Sequence, residues 1–393
     1  MGGALVIGGD SRALGIARSL GRRGIPVWAF DEGDYLLARR SRYVARSLPW
    51  PTGDEESQAR HVAALAREHG LDGWTLFATS DETAALVARH HELLAASYRL
   101  TTPPWAQTRL AYDKRLTYSV AGDIGVPAPW TRYPADRAEV EQLDPPFPCI
   151  LKPASKQGLN RFTHDKAWKV ADRDELLARY DEACGMVGAE HVMVQELIPG
   201  GGESQFSFGA ACLDGQPVAS IVARRTRQYP VTFGHSSSFV ETVENDAVER
   251  EARKLLAAMR YTGVVEVEFK LDSRSGEYKV LDVNPRLWTW FTLGGRAGVD
   301  FPYVGWRISQ GEPVEEVRAR SGVRWVRMGT DVLAATAQIR SGDLAVGRYL
   351  RSLRPPVQFA VFATDDPRPL ATAVPSLVSR MARRAPTLLG RGA

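Results

Sequence analysis

Four oxygen-bearing side chains near residue 270 have the types and the spacing to hold a metal ion; they are Glu266, Glu268, Asp282 and Asn284. The glutamates stand two positions apart in one predicted strand, and the aspartate and asparagine stand two positions apart in the next. Alternate residues of a strand share a face, so each pair points the same way. Mg²⁺ takes such oxygen ligands, usually one or two carboxylates together with substrate phosphates. If the two strands pair, an acid–acid–amide cluster results.

The alternative is that these residues form the solvated polar face of an antiparallel pair, which is the commoner outcome. The residues that follow Asn284 favour the metal site. Pro285 cannot continue a central ladder, so the strand stops where its polar groups are presented, with Arg286 adjacent to them.

Lysine is scarce in this chain, because only eight of the 50 basic residues are lysine. Lys152 ends the apolar run that begins at Phe147, and Pro153 fixes the backbone after it. A lysine held in this way is a point charge in a defined place, which suits a nucleotide phosphate. Lys114, which follows Asp113, is open to two interpretations, since an isolated lysine is more often a surface residue.

A glycine-rich crossover follows the predicted strand Val192–Gln195 and carries two acids seven residues apart, Glu196 and Glu203. One acid and the adjacent backbone could read an adenine edge, and the other could bind a ribose diol. The alternative is a loop that is capped by its own carboxylates.

The elements that must position these side chains begin with a βαβ unit. It comprises the apolar strand Ala4–Ile7, a helix over residues 11–23 and a strand that closes with Asp31. The turn after the first strand is glycine-rich, but its spacing does not fit G-x-G-x-x-G, and Asp10 would repel a pyrophosphate. We therefore favour a tight turn in a doubly wound α/β domain over a dinucleotide site.

Further helices and strands extend this first domain to about residue 104, and the chain beyond it also mixes the two. The predicted helices cover residues 54–69, 81–95, 107–122, 173–183, 245–259 and 297–311. The predicted strands cover residues 73–79, 147–152, 192–195, 204–213, 216–224, 264–271 and 278–283. The region after residue 312 is less regular.

The composition is that of an ordinary globular protein, with 44% hydrophobic and 24% charged residues in a chain of 393. It excludes a disordered chain and a disulfide scaffold. The net charge of +4 is too small to argue for a nucleic-acid partner. The three cysteines form no CxxC, and no signal peptide or long apolar run is visible, so we expect a cytoplasmic protein without a transmembrane segment.

Charge is unevenly distributed along the chain. Residues 367–393 contain five arginines and no acidic residue. We favour a solvated basic tail, with weak contact to an acidic membrane surface as the alternative, because residues 376–384 are mildly amphipathic.

The order of these motifs along roughly residues 1–310 resembles that of the ATP-grasp superfamily. The stretches that carry the resemblance are Asp113-Lys114, Leu151-Lys152-Pro153, Gln195–Gly200 with Glu203, Glu266–Phe269 and Asp282–Arg286. Within the superfamily, residues 166–170 and 224–230 are similar to stretches of the carboxylate–amine ligase branch that includes D-aspartate ligase.

The resemblance implies a chain of the α/β and α+β classes. A doubly wound pre-ATP-grasp domain would cover residues 1–104, and a two-lobed ATP-grasp fold would cover residues 105–312. The small lobe would span about 125–195 and the large lobe about 196–312, followed by a C-terminal extension over 313–393 that includes the basic tail.

The resemblance also implies roles for single residues. Those that would bind ATP are Lys114 and Lys152 at the phosphates, Glu196 and the Leu197 backbone at the adenine, and Glu203 at the ribose. Those that would hold one or two Mg²⁺ ions, with Mn²⁺ as an alternative ion, are Glu268, Asp282 and Asn284. Arg286 would lie near the transferred phosphoryl group, and Arg225 or Arg227 would stabilise the acyl phosphate and the tetrahedral oxyanion.

Two departures from the family pattern change what is expected. Asp282 stands where glutamate is usual, and its shorter side chain puts the bridging of two metal ions in question. The loop after Lys152 is poorer in glycine than the phosphate-covering loop of many relatives, so Lys156 or Arg161 would supply charge in place of backbone N–H groups.

We therefore predict an ATP-dependent ligase that joins a small-molecule carboxylate to an amine through an acyl phosphate, and we expect a monomer or a homodimer. The rivals are a non-catalytic nucleotide-binding module on the same fold and a nucleotide-linked oxidoreductase that uses the N-terminal domain. Gly295 and Arg296 could bind a substrate carboxylate, or could be a plain helix entry. His235 could line the same cleft and act as a base, although a single histidine in a polar loop is more often merely exposed.

Overall fold

The computed structural model describes residues 2–33, 36–154, 160–231, 234 and 236–373. Lys156, His235 and the basic tail beyond residue 373 lie outside the described residues, and what was predicted of them stays a prediction. The strands of the described residues form three sheets.

The first sheet contains five parallel strands with helices on both faces. Its strands are β1 (Ala4–Ile7), β2 (Val27–Asp31), β3 (Val44–Pro49), β4 (Thr75–Ala78) and β5 (Arg99–Leu100), and its helices are α1 (Ser11–Gly21), α2 (Glu55–His69), α3 (Asp81–Arg89) and α4 (His91–Ala95). The strand order is β3-β2-β1-β4-β5. Every residue of β1 is buried, because α1 covers one face of the sheet and α2 and α3 cover the other. The predicted doubly wound arrangement is confirmed.

The glycine turn after β1 is closed by protein atoms. A Cβ on Gly8 would lie 1.9 Å from the Thr79 hydroxyl, so only glycine fits there. The Asp10 carboxylate caps α1 by accepting hydrogen bonds from the backbone N–H groups of Arg12 and Ala13. A carboxylate thus occupies the helix N-terminus that a pyrophosphate would need, which favours the tight turn over a dinucleotide site.

Two helices, α5 (Trp105–Tyr112) and α6 (Lys114–Asp123), connect the first sheet to the rest of the chain. The sequence predicted one helix here, but Asp113 interrupts it with an extended backbone and caps α6 by accepting from the Arg115 N–H. The break makes Lys114 the first residue of a new helix.

The second sheet has four strands in the order β6-β9-β7-β8, where the strands are β6 (Thr131–Arg132), β7 (Cys149–Pro153), β8 (Trp168–Val170) and β9 (Val192–Glu196). Its helices are α7 (Arg137–Gln142), α8 (Arg161–Asp165) and α9 (Arg173–Val187). Cys149 and Leu151 of β7 pack with Leu176 and Tyr180 of α9. Lys152 therefore points to the opposite face of this sheet.

The third sheet has eight strands. They are β10 (Gln205–Leu213), β11 (Gln216–Tyr229), β12 (Ser236–Thr242), β13 (Gly263–Asp272), β14 (Glu277–Asn284), β15 (Val317–Arg318), β16 (Arg324–Val326) and β17 (Val357–Phe359). The order is β14-β13-β10-β11-β12-β16-β17, and β15 pairs with β11. The helices of this region are α10 (Asp246–Ala258), α11 (Thr292–Ala297), α12 (Phe301–Ser309), α13 (Met328–Arg340) and α14 (Val346–Ser352).

The two faces of the third sheet bury different partners. Leu255 and other apolar residues of α10 pack on one face against Phe208 of β10. On the other face, Ile221 of β11 belongs to a core that also contains Phe301 of α12 and Ile16 of α1. The first sheet is thus packed against the third through α1.

The segment around residues 361–366 returns to the first sheet. Arg18 of α1 donates to the Asp366 carboxylate at 2.9 Å and to the Val361 carbonyl at 2.7 Å. Both ion-pair partners are almost fully buried, with side-chain exposures of 7% and 1%. Ser41 also donates to Asp366, and Arg22 pairs with Asp365. The C-terminal region is therefore fastened to the N-terminal sheet by buried charge.

Among the described residues, no helix combines the length and the apolar character that a membrane crossing requires.

Candidate active site

A cleft of about 480 Å³ opens between the second and third sheets and is closed at one end by the first. The predicted site residues that line it are Lys114, Lys152, Glu196, Leu197, Arg225, Glu268, Asp282, Asn284 and Arg286. The predicted residues that lie elsewhere are Glu203, Arg227, Gly295 and Arg296.

The acid–acid–amide cluster forms by strand pairing. In the antiparallel pair of β13 and β14, Glu266 lies opposite Asn284 and Glu268 lies opposite Asp282. The Asn284 amide donates to a carboxylate oxygen of each glutamate, at 3.0 Å in both cases. The pairing that the sequence left conditional is therefore present, and the cluster lies in the cleft.

Glu266 is the most buried member of this cluster, at 4% exposure. Its second carboxylate oxygen accepts a hydrogen bond of 3.0 Å from the Trp290 indole. Burial, and then the neighbouring Glu268 carboxylate, raise the pKa of Glu266. Glu266 thus serves to hold the Asn284 amide, and Glu268 presents its carboxylate to the cleft.

Two lysines face the cluster, and their environments differ. Lys114 donates to both carboxylate oxygens of Asp282 at 2.8 Å. Burial alone would lower the pKa of Lys114, but the Asp282 carboxylate outweighs it and the net shift is upward. Burial lowers the pKa of Lys152 to about 8, and repulsion by Lys114 adds to the effect. An anionic ligand in the cleft would therefore stabilise the protonated form of Lys152.

Glu268, Asp282 and Asn284 offer the donor chemistry that Mg²⁺ accepts. Each is a hard oxygen ligand, and cations already balance both carboxylates, since Lys114 bonds Asp282 and Arg225 donates to Glu268 at 3.1 Å. Within the described ranges, no group of three or more His, Cys, Asp or Glu side chains is arranged as a metal site. Two carboxylates and one amide oxygen suit an ion that completes its coordination with phosphate and water.

Glu196 is tied to the protein on both of its carboxylate oxygens. It accepts from Lys279 at 2.5 Å, from Arg274 at 2.6 Å and from the Trp130 N–H at 2.9 Å. Burial alone would raise the pKa of Glu196, but these donors outweigh it and the pKa is lowered. Because Glu196 ends β9 and Lys279 lies on β14, the ion pair fastens the second sheet to the third beside the cleft.

The crossover after β9 is held by a residue that the sequence reasoning missed. Lys270 of β13 donates to the carbonyl oxygens of Ile198 and Gly200 at 2.8 and 2.7 Å. Glu203 is exposed, and its carboxylate accepts from the Gly201 N–H at 2.9 Å. Among the seven lysines that the structure describes, those at positions 114, 152, 166 and 270 line the cleft. The scarcity of lysine was the signal that could have identified the last two.

Arg225 and Arg227 face different parts of the protein. Arg225 lies in the cleft between Glu268 and Ser237, and it donates to the Ser237 hydroxyl at 2.9 Å. Arg227 instead donates twice to Asp331 of α13 at 2.8 Å. The pairing of β11 with β12 shifts register on both sides of Arg227, and this irregularity breaks the two-residue alternation that would place both arginines on one face.

Arg286 connects the cluster to the first sheet. It donates to the Asp81 carboxylate at 2.9 Å and to the Asn284 amide oxygen at 3.2 Å. Asp81 is the first residue of α3, and both side chains of the ion pair are mostly buried, at 12% and 14% exposure. The sequence reasoning missed Asp81, because no local pattern links it to a residue 205 positions away.

Gly295 and Arg296 of α11 line a separate cavity of about 300 Å³ together with Arg18 and Asp300. This cavity is separate from the cleft that holds the acid–acid–amide cluster. Their predicted contact with substrate has no support from this placement.

Comparisons with known proteins identify similar sequences and structures. A family model described as ATP-grasp in the biosynthetic pathway with Ter operon matches residues 189–331. The chain is 22% identical over 299 residues to D-aspartate ligase of Enterococcus faecium (strain Aus0004), covering 72% of this chain and 70% of that protein.

Two solved structures show the same fold. L-amino acid ligase from Bacillus licheniformis superposes with a TM-score of 0.61 at 18% identity, covering 80% of this chain and 75% of that one. The ADP complex of PurK, an N5-carboxyaminoimidazole ribonucleotide synthetase, superposes with a TM-score of 0.63 at 12% identity, covering 86% and 85%. Residues 189–331 thus match an ATP-grasp family model and the chain is similar to D-aspartate ligase, in agreement with the resemblance that its motifs carry.

Proposed function

We propose that this protein is an ATP-dependent carboxylate–amine ligase of the ATP-grasp type that forms an amide bond and releases ADP and phosphate. The observation that carries the proposal is the meeting of two lysines with the acid–acid–amide cluster inside one cleft. Phosphoryl transfer requires cationic side chains that bind the phosphates. It also requires oxygen ligands that hold a divalent metal ion. The named ligases among the similar proteins support the same reaction class.

The nucleotide would lie between the second and third sheets. Lys114 and Lys152 would contact the phosphates, and the Leu197 backbone would read the adenine edge. Glu196 contributes by position, because its carboxylate is held by Lys279 and Arg274 and fixes the end of β9 next to that backbone. The ribose role of Glu203 has no contact in support, since this side chain does not line the cleft.

Glu268, Asp282 and Asn284 would hold Mg²⁺, or Mn²⁺ in its place, at one or two positions. The bound ion would neutralise charge on the phosphates during transfer. The protein contributes the orientation of these ligands, because Glu266 fixes the Asn284 amide from behind.

The proposed reaction has two steps. A substrate carboxylate oxygen attacks the γ-phosphorus, the bond to the bridging oxygen breaks, and ADP leaves with that electron pair. The amine nitrogen then attacks the acyl carbon of the acyl phosphate, phosphate leaves, and the nitrogen loses a proton to solvent. Arg225 and Arg286 lie in the cleft where charge develops in these steps and would stabilise it. Most of the protein's contribution is positioning and charge neutralisation.

The same placement supports the domain organisation that we propose. A first domain over residues 1–104 would close the cleft with Asp81, and the ATP-grasp fold over 105–312 would hold ATP. The C-terminal extension over 313–393 would support β11 from behind, since Asp331 of α13 binds Arg227.

The test is ADP release from ATP and Mg²⁺ with pools of small carboxylates and amines, and with hydroxylamine to trap an acyl phosphate as a hydroxamate. We expect ADP release to require a carboxylate. Glu268→Gln should lower turnover by about 10²- to 10³-fold, the usual cost of removing one stabilising group from a reacting centre. Glu277→Gln, an exposed change on the neighbouring strand, is the matched control.

Undiminished turnover in Glu268→Gln would contradict the metal assignment. ATP binding without ADP release in any pool would instead assign the protein to the non-catalytic nucleotide-binding modules.

A further inference from the structure

The short helix α14 presents apolar side chains to solvent. None of its residues is buried. Val346 and Leu350 are 54% and 61% exposed, which makes them the most exposed large apolar residues in the described ranges. Isolated exposed apolar residues are common, but two that stand one helical turn apart form a stripe.

One side of α14 contacts Arg227, and this contact defines which side of the helix faces solvent. The Ser352 hydroxyl accepts from Arg227 at 3.2 Å, and the Tyr349 ring lies 5.2 Å from the Arg227 guanidinium. Successive helix residues advance by about 100°. Leu350 and Arg351 therefore lie on the side that faces away from Arg227.

Positive charge surrounds this stripe. Residues 340–354 include four exposed arginines, Arg340, Arg348, Arg351 and Arg354. Within the part of the chain that the structure describes, none of them has an ion pair or a side-chain hydrogen bond. Asp343 is the one acid in this segment, and it accepts from the Ser341 hydroxyl at 2.6 Å. Most of the other arginines in the described ranges are instead paired with carboxylates.

We infer that Val346, Leu350 and the four arginines form a docking surface for an anionic lipid bilayer, and we call it the α14 surface. A helix with exposed apolar residues flanked by arginines lies in the headgroup region of a membrane, where apolar burial and attraction to anionic lipid add together. A nucleic acid would use the arginines but would leave Leu350 in water. The inference does not depend on the proposed ligase activity.

The tail beyond residue 373 is the one other occupant that the chain itself could supply. It contains four arginines and no acid, so its charge has the same sign as that of the α14 surface. Electrostatic repulsion opposes its seating there, whereas both segments are attracted to the same anionic surface.

The experiment is co-sedimentation of the full chain with vesicles of phosphatidylcholine alone, or of phosphatidylcholine mixed with phosphatidylglycerol. We expect binding to the anionic vesicles alone, and we expect added salt to weaken it. Each arginine near an anionic surface contributes about 1 kcal/mol, or about fivefold in affinity. The double change Arg351→Gln and Arg354→Gln should therefore weaken binding by about 25-fold.

Two matched controls separate this surface from general effects. Arg67→Gln removes an exposed arginine from α2, and Leu93→Asn removes a leucine of 40% exposure from α4. Neither should change vesicle binding, whereas Leu350→Asn should weaken it several-fold. In a chain that lacks residues 374–393, the double arginine change should still weaken vesicle binding by most of the factor seen in the full chain.

Several results would overturn the inference. One is a full chain that stays in the supernatant with anionic vesicles. Another is equal binding by the double arginine variant, or binding that is lost on deletion of 374–393 and unaffected by changes in α14. Binding to heparin that is as tight as binding to vesicles and is unaffected by Leu350→Asn would assign the surface to a charged macromolecule instead.

Discussion

Replacing Asp331 by alanine should destabilise the protein more than the loss of any surface ion pair. Asp331 and Arg227 are 0% and 4% exposed, and two hydrogen bonds of 2.8 Å join them. The Ser238 hydroxyl also donates to Asp331, at 3.1 Å. Asp331→Ala leaves the Arg227 guanidinium in the interior without its counter-charge, and desolvation of that charge is the cost.

The size of the effect follows from the burial. Removal of one partner of a buried pair costs about 3–5 kcal/mol. Arg227 keeps a hydrogen bond to Ser352 and a position 4.0 Å from the Phe239 ring, and these contacts place the expected loss near the lower limit. The exposed pair of Glu56 and Arg60 spans one helical turn, for which the expected contribution is about 0.3–0.5 kcal/mol. The two variants should therefore differ by about 2–3 kcal/mol.

The assay is urea unfolding followed by tryptophan fluorescence, with Asp331→Ala and Glu56→Ala measured side by side. Asp331→Ala should move the midpoint to clearly lower urea at an unchanged slope, and Glu56→Ala should scarcely move it. The double change Arg227→Met and Asp331→Leu should recover much of the lost stability, because it removes both charges. An Asp331→Ala protein within about 1 kcal/mol of the wild type would refute this reasoning.

Two further predictions concern the cleft. Asp81→Asn should lower kcat by about 10- to 100-fold with little change in the KM for ATP, because Arg286 loses its charged hydrogen-bond partner, and Asp81→Glu should restore part of the activity. Equal steady-state kinetics for Asp81→Asn and the wild type would contradict this. ATP affinity should be highest below pH 8 and should fall as the pH rises through about 8, where Lys152 loses its proton, and calorimetric titration of Lys152→Arg should show no such fall. A pH dependence that persists in Lys152→Arg would assign the effect to another group.

The sequence was most informative where local periodicity decides the structure. The two-residue repeat of a strand placed Glu266 and Glu268 on one face, and Pro285 marked where the next strand ends. The pairing of these strands then needed only one short connection, so the acid–acid–amide cluster was predictable. Lys152 was predictable for the same reason, since alternation along β7 directs it away from Leu151.

Features that depend on distant residues were beyond this reasoning. The carboxylate of Glu196 forms an ion pair with Lys279, which lies 83 positions later, and no local sequence pattern predicts that ion pair. The irregular pairing of β11 separates Arg225 from Arg227, and the strand that causes it, β12, was itself not predicted. The short strands β15 and β16 pair with strands that lie about 80 to 100 residues earlier in the chain, so their own sequences carry little signal.

The buried pair of Arg18 and Asp366 has a consequence for synthesis of the chain on the ribosome. The two residues are 348 positions apart, which corresponds to between roughly 17 and 70 s of translation at common elongation rates. During that interval the nascent first sheet must hold a guanidinium whose counter-charge has not yet been made. A chain that terminates early never acquires it and keeps a weakened N-terminal unit, which makes it a better substrate for proteolytic quality control. The ion pair can therefore form only after translation has passed residue 366.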